Sequence, residues 1–288
     1  MSKYYFDKDA AIRAISFIEK FCSHTKGELT GKPFLLEDWQ KEIVGSIFGW
    51  KNKDTDLRKY RTVFIEVPRK NGKTTLCAAI SLYMLFADSE RGSEVYAAAG
   101  DRNQAGIVFE IAKGMILNNQ ELSNRSKVFR NSITHEAKGN FFQAISSDSK
   151  KKHGFNANCI IFDELHTQPN RDLWDTLTTS TGSRRQPLTI AITTAGYDRQ
   201  SICYEVYSYA KKVESGSITD DTFYPVIFEA DNEDDITLES TWKKANPNYE
   251  ISLRKEYMIQ ESQKAVNIPS YQNTFKRLML NIWTDSQV

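Results

Sequence analysis

Residues Thr62 to Thr75 constrain the fold more than any other stretch of this chain. Thr62-Val-Phe-Ile-Glu-Val67 is β-branched, aromatic or apolar at nearly every position and predicts a buried strand. Pro68-Arg-Lys-Asn-Gly-Lys-Thr-Thr75 follows, and the apolar run after it predicts a helix. A strand, a turn ending in Gly-Lys-Thr and a helix make a phosphate cradle. Backbone N–H groups at a helix N-terminus carry partial positive charge, Lys73 reaches the β/γ oxygens, and the Thr74 hydroxyl ligates Mg²⁺. Gly72 lets the backbone approach closely. ATP and Mg²⁺ are therefore the expected cofactors, with Pro68, Arg69, Lys70, Asn71, Gly72, Lys73, Thr74 and Thr75 as the ATP-binding loop. The match to G-x-x-x-x-G-K-[ST] is incomplete, because Val67 takes the first glycine position.

A second element completes the chemistry. Cys159-Ile-Ile-Phe-Asp-Glu164 is a short apolar strand ending in two carboxylates, well downstream of the loop. In an additional-strand ATPase the first carboxylate, Asp163, holds the metal with Thr74, and the second, Glu164, is the general base. A third strand, Leu188 to Thr193, ends in Thr193-Thr-Ala-Gly196. In this ATPase class it lies between the other two, so Thr193 and Thr194 would sense loss of the γ-phosphate and couple it to the rest of the domain. Threonine also simply favours strands. Further strands are expected at Glu94 to Ala99, Phe141 to Ser146 and Phe223 to Glu229. Strands alternating with helical patterns predict an α/β fold: a P-loop NTPase of the additional-strand type with a mostly parallel central sheet flanked by helices. Ligands then bind at the carboxyl ends of the strands.

Composition narrows the class. At 288 residues the chain has room for one large α/β domain with a small appendage. Its net charge of +1 provides no overall cationic field, so any DNA contact must be local or shared among subunits. Lys127, Arg130 and Lys138 are the candidates, although exposed lysines and arginines usually just face solvent. The cysteines Cys22, Cys77, Cys159 and Cys203 are scattered and read as core thiols rather than zinc ligands. The most apolar run, Leu76 to Ala87, is too short to span a bilayer, and Met1 to Ala11 lacks an apolar signal core. A soluble intracellular protein with no membrane partner is expected.

Helices are expected at Asp9 to Cys22, where Ile12, Ile15, Phe17, Ile18 and Phe21 would face the domain, and at Glu37 to Phe48. From about Ser215 the pattern changes to the acidic stretch Asp231 to Asp235 and helical segments at Leu253 to Ala265 and Ser270 to Leu280. The expected division is an ATPase core over residues 1–215 and a last strand with a helical linker or lid subdomain over residues 216–288.

Several segments together resemble the large terminase subunits of tailed bacteriophages, in that family's order: Leu36-Glu-Asp-Trp-Gln40, Val67 to Thr75, Tyr96 to Ala105, Ile161-Phe-Asp-Glu-Leu-His166, Thr193 to Gly196 and Leu280-Asn-Ile-Trp283. The resemblance implies the ATPase domain of a DNA-packaging motor in which a loop lacking its first glycine is common. It implies that Trp39 and Gln40 recognise adenine, although a tryptophan on an amphipathic helix is equally suited to a core. Arg69 within the loop would serve catalysis with Glu164 and Lys73, binding γ-phosphate in cis or a neighbour's carboxylate. A trans-acting basic residue is implied in Lys150-Lys-Lys-His-Gly154, at Lys151, Lys152 or His153. The implied partners are double-stranded DNA, a portal protein, a small terminase subunit and copies of the chain itself, in a ring that is a pentamer during packaging, with a monomer in isolation. The implied location is the host cytoplasm. Relatives continue into a nuclease, and with no clustered carboxylates evident here the C-terminal nuclease domain is expected to be absent and no nuclease activity is expected. Two other readings fit part of the pattern: a DExH-type helicase, from Asp163-Glu-Leu-His166, and a nucleotide-binding switch without turnover.

Overall fold

The runs read as strands share one sheet, and their place in it explains why they are so apolar. A computed structural model describes residues 2–147 and 154–285. The chain opens with β1 (Tyr4–Phe6), α1 (Lys8–Phe21), α2 (Asp38–Gly49) and β2 (Trp50–Asn52). Next come β3 (Thr62–Glu66), α3 (Lys73–Phe86), β4 (Glu94–Ala99), α4 (Arg102–Leu117), α5 (Gln120–Asn124), β5 (Lys127–Val128), β6 (Ser132–His135) and β7 (Asn140–Ser146). The chain then passes through β8 (Ala157–Asp163), α6 (Asp172–Thr179), β9 (Leu188–Thr193), α7 (Ile202–Glu214) and β10 (Phe223–Ile227). Three helices follow: α8 (Glu239–Ala245), α9 (Lys255–Asn267) and α10 (Pro269–Leu280).

The sheet order is β10-β3-β9-β8-β4-β7-β6-β5. Strands β10 through β7 pair parallel, and β6 and β5 add an antiparallel edge. As the sequence implied, β9 lies between β3 and β8. Period-2 alternation sends Val63 and Ile65 to one face with α1 to α4, while Phe64 packs on the other face with residues of α6 and α7. Because both faces are covered, the strands read as continuous apolar runs. Truncating a fully buried phenylalanine such as Phe64 costs about 3–5 kcal/mol. A separate apolar cluster, including Trp242, Leu253, Met258, Phe275 and Leu280, holds α8, α9 and α10 together.

Helix α1 starts where Asp7 accepts from the Ala10 N–H. Its innermost face is Ala10, Ala11, Ala14 and Ile18, whereas Ile12 is exposed, so small residues set the close approach to α2. The pairing of β1 with β2 was not foreseen, since neither three-residue strand carries a periodic pattern; Phe6 packing edge-on against Trp50 joins them. At the amino end of the sheet a buried Arg58–Asp88 ion pair of 2.5 Å ties the approach to β3 to the end of α3. All four cysteines are buried and free. Among the described residues, no helix is long and apolar enough to cross a membrane.

Gly100, just beyond β4, comes so close to the turn after β8 that a Cβ there would lie 2.4 Å from the Thr167 carbonyl oxygen. Gly106 on α4 meets open space. Gly100→Ala is expected to lose about 1–3 kcal/mol in urea unfolding. Gly106→Ala should hold or gain stability, because alanine is the better helix former.

Candidate active site

Parallel registration brings the carboxyl ends of three strands level: Glu66 of β3 pairs with Thr193 of β9, and Asp163 of β8 with Ile192. The loop from β3 enters α3 at Gly72, whose φ of +80° falls in the left-handed region that glycine tolerates. Lys73, the first residue of α3, is buried; its Nζ donates to the Val67 and Pro68 carbonyls (3.2 and 3.4 Å) and lies 3.7 Å from Glu164 Oε1. Asp163 is 3% exposed and hydrogen-bonds the Thr74 side chain, while its Oδ1 has no partner among the described residues. Burial, and then the adjacent Glu164 charge, push the Asp163 carboxyl up to about 7. Glu164 adopts φ +53°, a left-handed conformation that strains a residue with a Cβ. The outcome is a cleft of about 350 Å³ lined by Arg69, Lys70, Gly72, Lys73, Thr74, Thr75, Gln104, Glu164, His166 and Thr167.

The loop is held from the side by the C-terminal helices. Asn71, fully buried, donates to the Pro68 and Arg69 carbonyls and to Asn246 Oδ1, and its own Oδ1 accepts from the Asn248 N–H at 3.0 Å. Ser252 Oγ donates to the Lys70 carbonyl, and the Arg69 N–H donates to that of Leu278 on α10. Trp39 and Gln40 belong to this frame, and neither lines the cleft. The Trp39 indole N–H donates to Asn248 Oδ1 at 2.6 Å and its ring meets Phe228 edge-on. Gln40, 1% exposed, accepts from the Glu37 N–H in the capping box of α2. Of the expected adenine-reading pair, Trp39 is bonded to the C-terminal segment, while Gln40 caps its own helix and its Nε2 lies 3.5 Å from where a Gly72 Cβ would stand.

Thr193 and Thr194 are fully buried at the end of β9, in contact with His166. His166 Nδ1 is 3.0 Å from Thr193 Oγ1 and 3.3 Å from Glu164 Oε2, and burial lowers its pKa to about 4, leaving the imidazole neutral near pH 7. Lys151, Lys152 and His153 lie outside the described residues. Lys138, a candidate DNA contact, instead donates to the Phe86 and Asp88 carbonyls at the end of α3, and Lys127 pairs with Glu136 at 2.7 Å. Arg130 stays exposed between β5 and β6. His166, Gln104, Thr167 and the asparagines 246 and 248 went unassigned on sequence. His166 had a signal, standing three residues after Asp163, while the others depend on long-range packing.

Residues 38–212 match the family model described as terminase large subunit, ATPase domain, and residues 217–288 match terminase large subunit, endonuclease domain. The second match overturns the expectation that nothing of a nuclease is present. That expectation looked for clustered carboxylates, but the acidic stretch is engaged locally, with Asp231 and Asp234 on Lys244 and Asp235 on Thr237. Among the described residues no group of three or more His, Cys, Asp or Glu side chains could hold a metal. The matched segment is instead built as β10 and α8 to α10. The large terminase subunit of Enterobacteria phage HK97 is 29% identical over 280 residues, covering 93% of this chain and 52% of that protein. The crystal structure of the HK97 large terminase superposes with a TM-score of 0.82 at 26% identity, over 95% of this chain and 55% of that one. The Thermus phage P74-26 large terminase ATPase domain has a likeness of fold alone, with a TM-score of 0.56 at 15% identity over 80% of this chain and 92% of that one. The chain spans about half the length of the curated relatives it matches.

The raised Asp163 carboxyl has a thermodynamic signature. Its folded value of about 7 lies above the ordinary 3.8, so folding takes up a proton between those pH values. In metal-free buffer, stability from this group falls as pH rises through that window, with the penalty fully present above about pH 7. Melting temperature against pH should show this fall in the wild type and a smaller one in Asp163→Asn; parallel curves would contradict the assignment.

Proposed function

The chain belongs to the terminase large subunit family, and from that premise we propose that it is the ATP-hydrolysing motor part of a DNA-packaging machine. The observation that carries this reading is the meeting of Lys73 with Asp163 and Glu164 at the tips of β3 and β8, with carboxylate oxygens left unpartnered. The loop from Pro68 through Thr75 binds the phosphates of ATP through its N–H groups and Lys73. Thr74 and Asp163 form an oxygen-only corner that suits Mg²⁺, a cation usually bound by one or two carboxylates together with substrate phosphates. When bound, Mg²⁺ neutralises charge on the β- and γ-phosphate oxygens.

Glu164 takes a proton from the attacking water, and the water's oxygen forms a bond to the γ-phosphorus as the bond to the ADP oxygen breaks. Arg69 stands on the cleft wall, where its guanidinium stabilises charge on the transferring group, as does a basic residue from the next subunit, at Lys151, Lys152 or His153. Thr193 and Thr194 couple loss of the γ-phosphate to the core. The residues divide into an ATPase core over 1–215 and a segment over 216–288 that moves against it and shifts the bound duplex. Double-stranded DNA, a portal protein, a small terminase subunit and a pentameric ring of this chain in the host cytoplasm complete the assembly by family resemblance.

Phosphate release from ATP tests the chemistry. Glu164→Gln should lower kcat at least about 100-fold while an ATP analogue still binds. Lys73→Ala should weaken nucleotide binding itself. Equal turnover by wild type and Glu164→Gln would remove Glu164 from the mechanism.

A further inference from the structure

Thr167 pins the Glu164 main chain, its N–H and Oγ1 both donating to the Glu164 carbonyl, and leaves the side chain to other neighbours. Glu164 sits in a strained left-handed conformation, and its Oε2 is buried without a hydrogen bond among the described residues. The neighbour that constrains this oxygen is His166, with Nδ1 3.3 Å away. His166 is itself held at two points by one hydroxyl: Thr193 Oγ1 accepts from the His166 backbone N–H at 3.2 Å and meets Nδ1 at 3.0 Å.

Proton placement follows from counting. Thr193 Oγ1 has one hydrogen, which it donates to the Thr194 carbonyl at 2.9 Å. With that hydrogen so placed, Nδ1 is the donor in its contact with Thr193, where the Cys203 thiol at 3.7 Å is a weaker second donor and the Thr194 hydroxyl stands farther from the ring, at 3.5 Å. The alternative tautomer would also set the Nδ1 lone pair against the Glu164 carboxylate, which is repulsive. One N–H therefore stands between Thr193 Oγ1 and Glu164 Oε2.

We infer that His166 is a positioning residue that holds the general base Glu164 in its working orientation and joins it, through the Nδ1–H, to Thr193 at the end of β9. The inference rests on Glu164 acting as the base. While the Nδ1–H is given to Thr193, the carboxylate keeps its full basicity, and Oε1, the oxygen that faces Lys73 and the cleft, receives the proton of water. A shift of β9 moves the hydroxyl and offers the same N–H to Oε2, which blunts the base. Turnover is thereby tied to the position of a strand that runs through the centre of the sheet.

The test is steady-state phosphate release on His166→Ala, His166→Asn, His166→Gln, Thr193→Val and the pair His166→Ala with Thr193→Val, beside Glu164→Gln. Melting temperature and binding of a fluorescent ATP analogue are measured for each. His166→Ala should lower kcat roughly 10–100-fold with analogue affinity and KM within about twofold of wild type. His166→Asn, whose amide nitrogen falls near the Nδ1 position, should recover most of that loss, and it remains informative if the alanine variant folds poorly. His166→Gln, which reaches toward the Nε2 position, should not recover it. Thr193→Val should add little to His166→Ala, since both cut the same link. An unchanged kcat in His166→Ala, equal recovery by asparagine and glutamine, or a multiplied loss in the pair would each overturn the inference. Should Glu164→Gln turn over like the wild type, the assignment of the base fails instead, which is a separate outcome.

Discussion

Burying an ammonium group beside two carboxylates is costly, and much of the architecture is organised around that one arrangement. Each ion loses several kcal/mol of hydration in a protein interior, recovered only when geometry and hydrogen bonds are good. Here Lys73 has two main-chain carbonyls and Glu164 as partners, while one oxygen of each carboxylate has none among the described residues. The site is therefore incomplete as a structural ion pair and open as a ligand site. Its spacing comes from β9. Strands in a sheet lie about 4.8 Å apart, so inserting one strand sets the tips of β3 and β8 close to 10 Å apart. Across that gap only the long Lys73 side chain reaches, its Nζ coming to 3.7 Å from Glu164 Oε1.

The loop departs from the usual glycine pattern and is shaped by other means. Val67 carries a side chain that is buried in the main core, and Lys70 rather than a glycine takes a left-handed φ of +70°. Such a conformation is unfavourable for a residue with a Cβ and persists when surrounding contacts over-determine it. Those contacts are on the page: Asn71 closes the loop on its own carbonyls, Ser252 grips the Lys70 carbonyl, and Asn246 and Asn248 hold Asn71 from outside. The residues doing this holding come from the segment that matches the endonuclease-domain model. The nucleotide loop and that segment thus share one hydrogen-bonded frame, even though a family boundary falls between them.

Legibility from sequence divided along physical lines. Strands β3, β4, β8 and β9 were readable because burial on both faces makes them uninterrupted apolar runs. Lys73, Asp163 and Glu164 stood out because each belongs to a local pattern, Lys73 at the start of the helix after the loop and the two carboxylates at the end of a strand. The antiparallel β5 and β6 and the β1–β2 pair were not, since two to four residues carry no period and their partners are set by packing. Trp39 and Gln40 gave no sign in the sequence of their fold contacts, because the partners, a buried asparagine far along the chain and the cap of α2, are set by packing. The C-terminal segment was misjudged for a related reason, because the search was for catalytic carboxylates while the likeness lies in the strand and helices themselves.

Loop and C-terminal segment also meet through like charges. Arg69 on the loop and Arg277 on α10 lie near enough that the first helps lower the pKa of the second, after burial. Arg277 stacks over the Tyr197 ring at 5.2 Å, and its Nε has no hydrogen-bond partner among the described residues. Two guanidinium groups held near each other repel, and the Arg69 N–H bond to Leu278 keeps them from separating freely. An anion in the cleft beside Arg69 would offset this repulsion by attraction. The junction between loop and α10 thus holds two like charges together within a frame that hydrogen bonds have already braced.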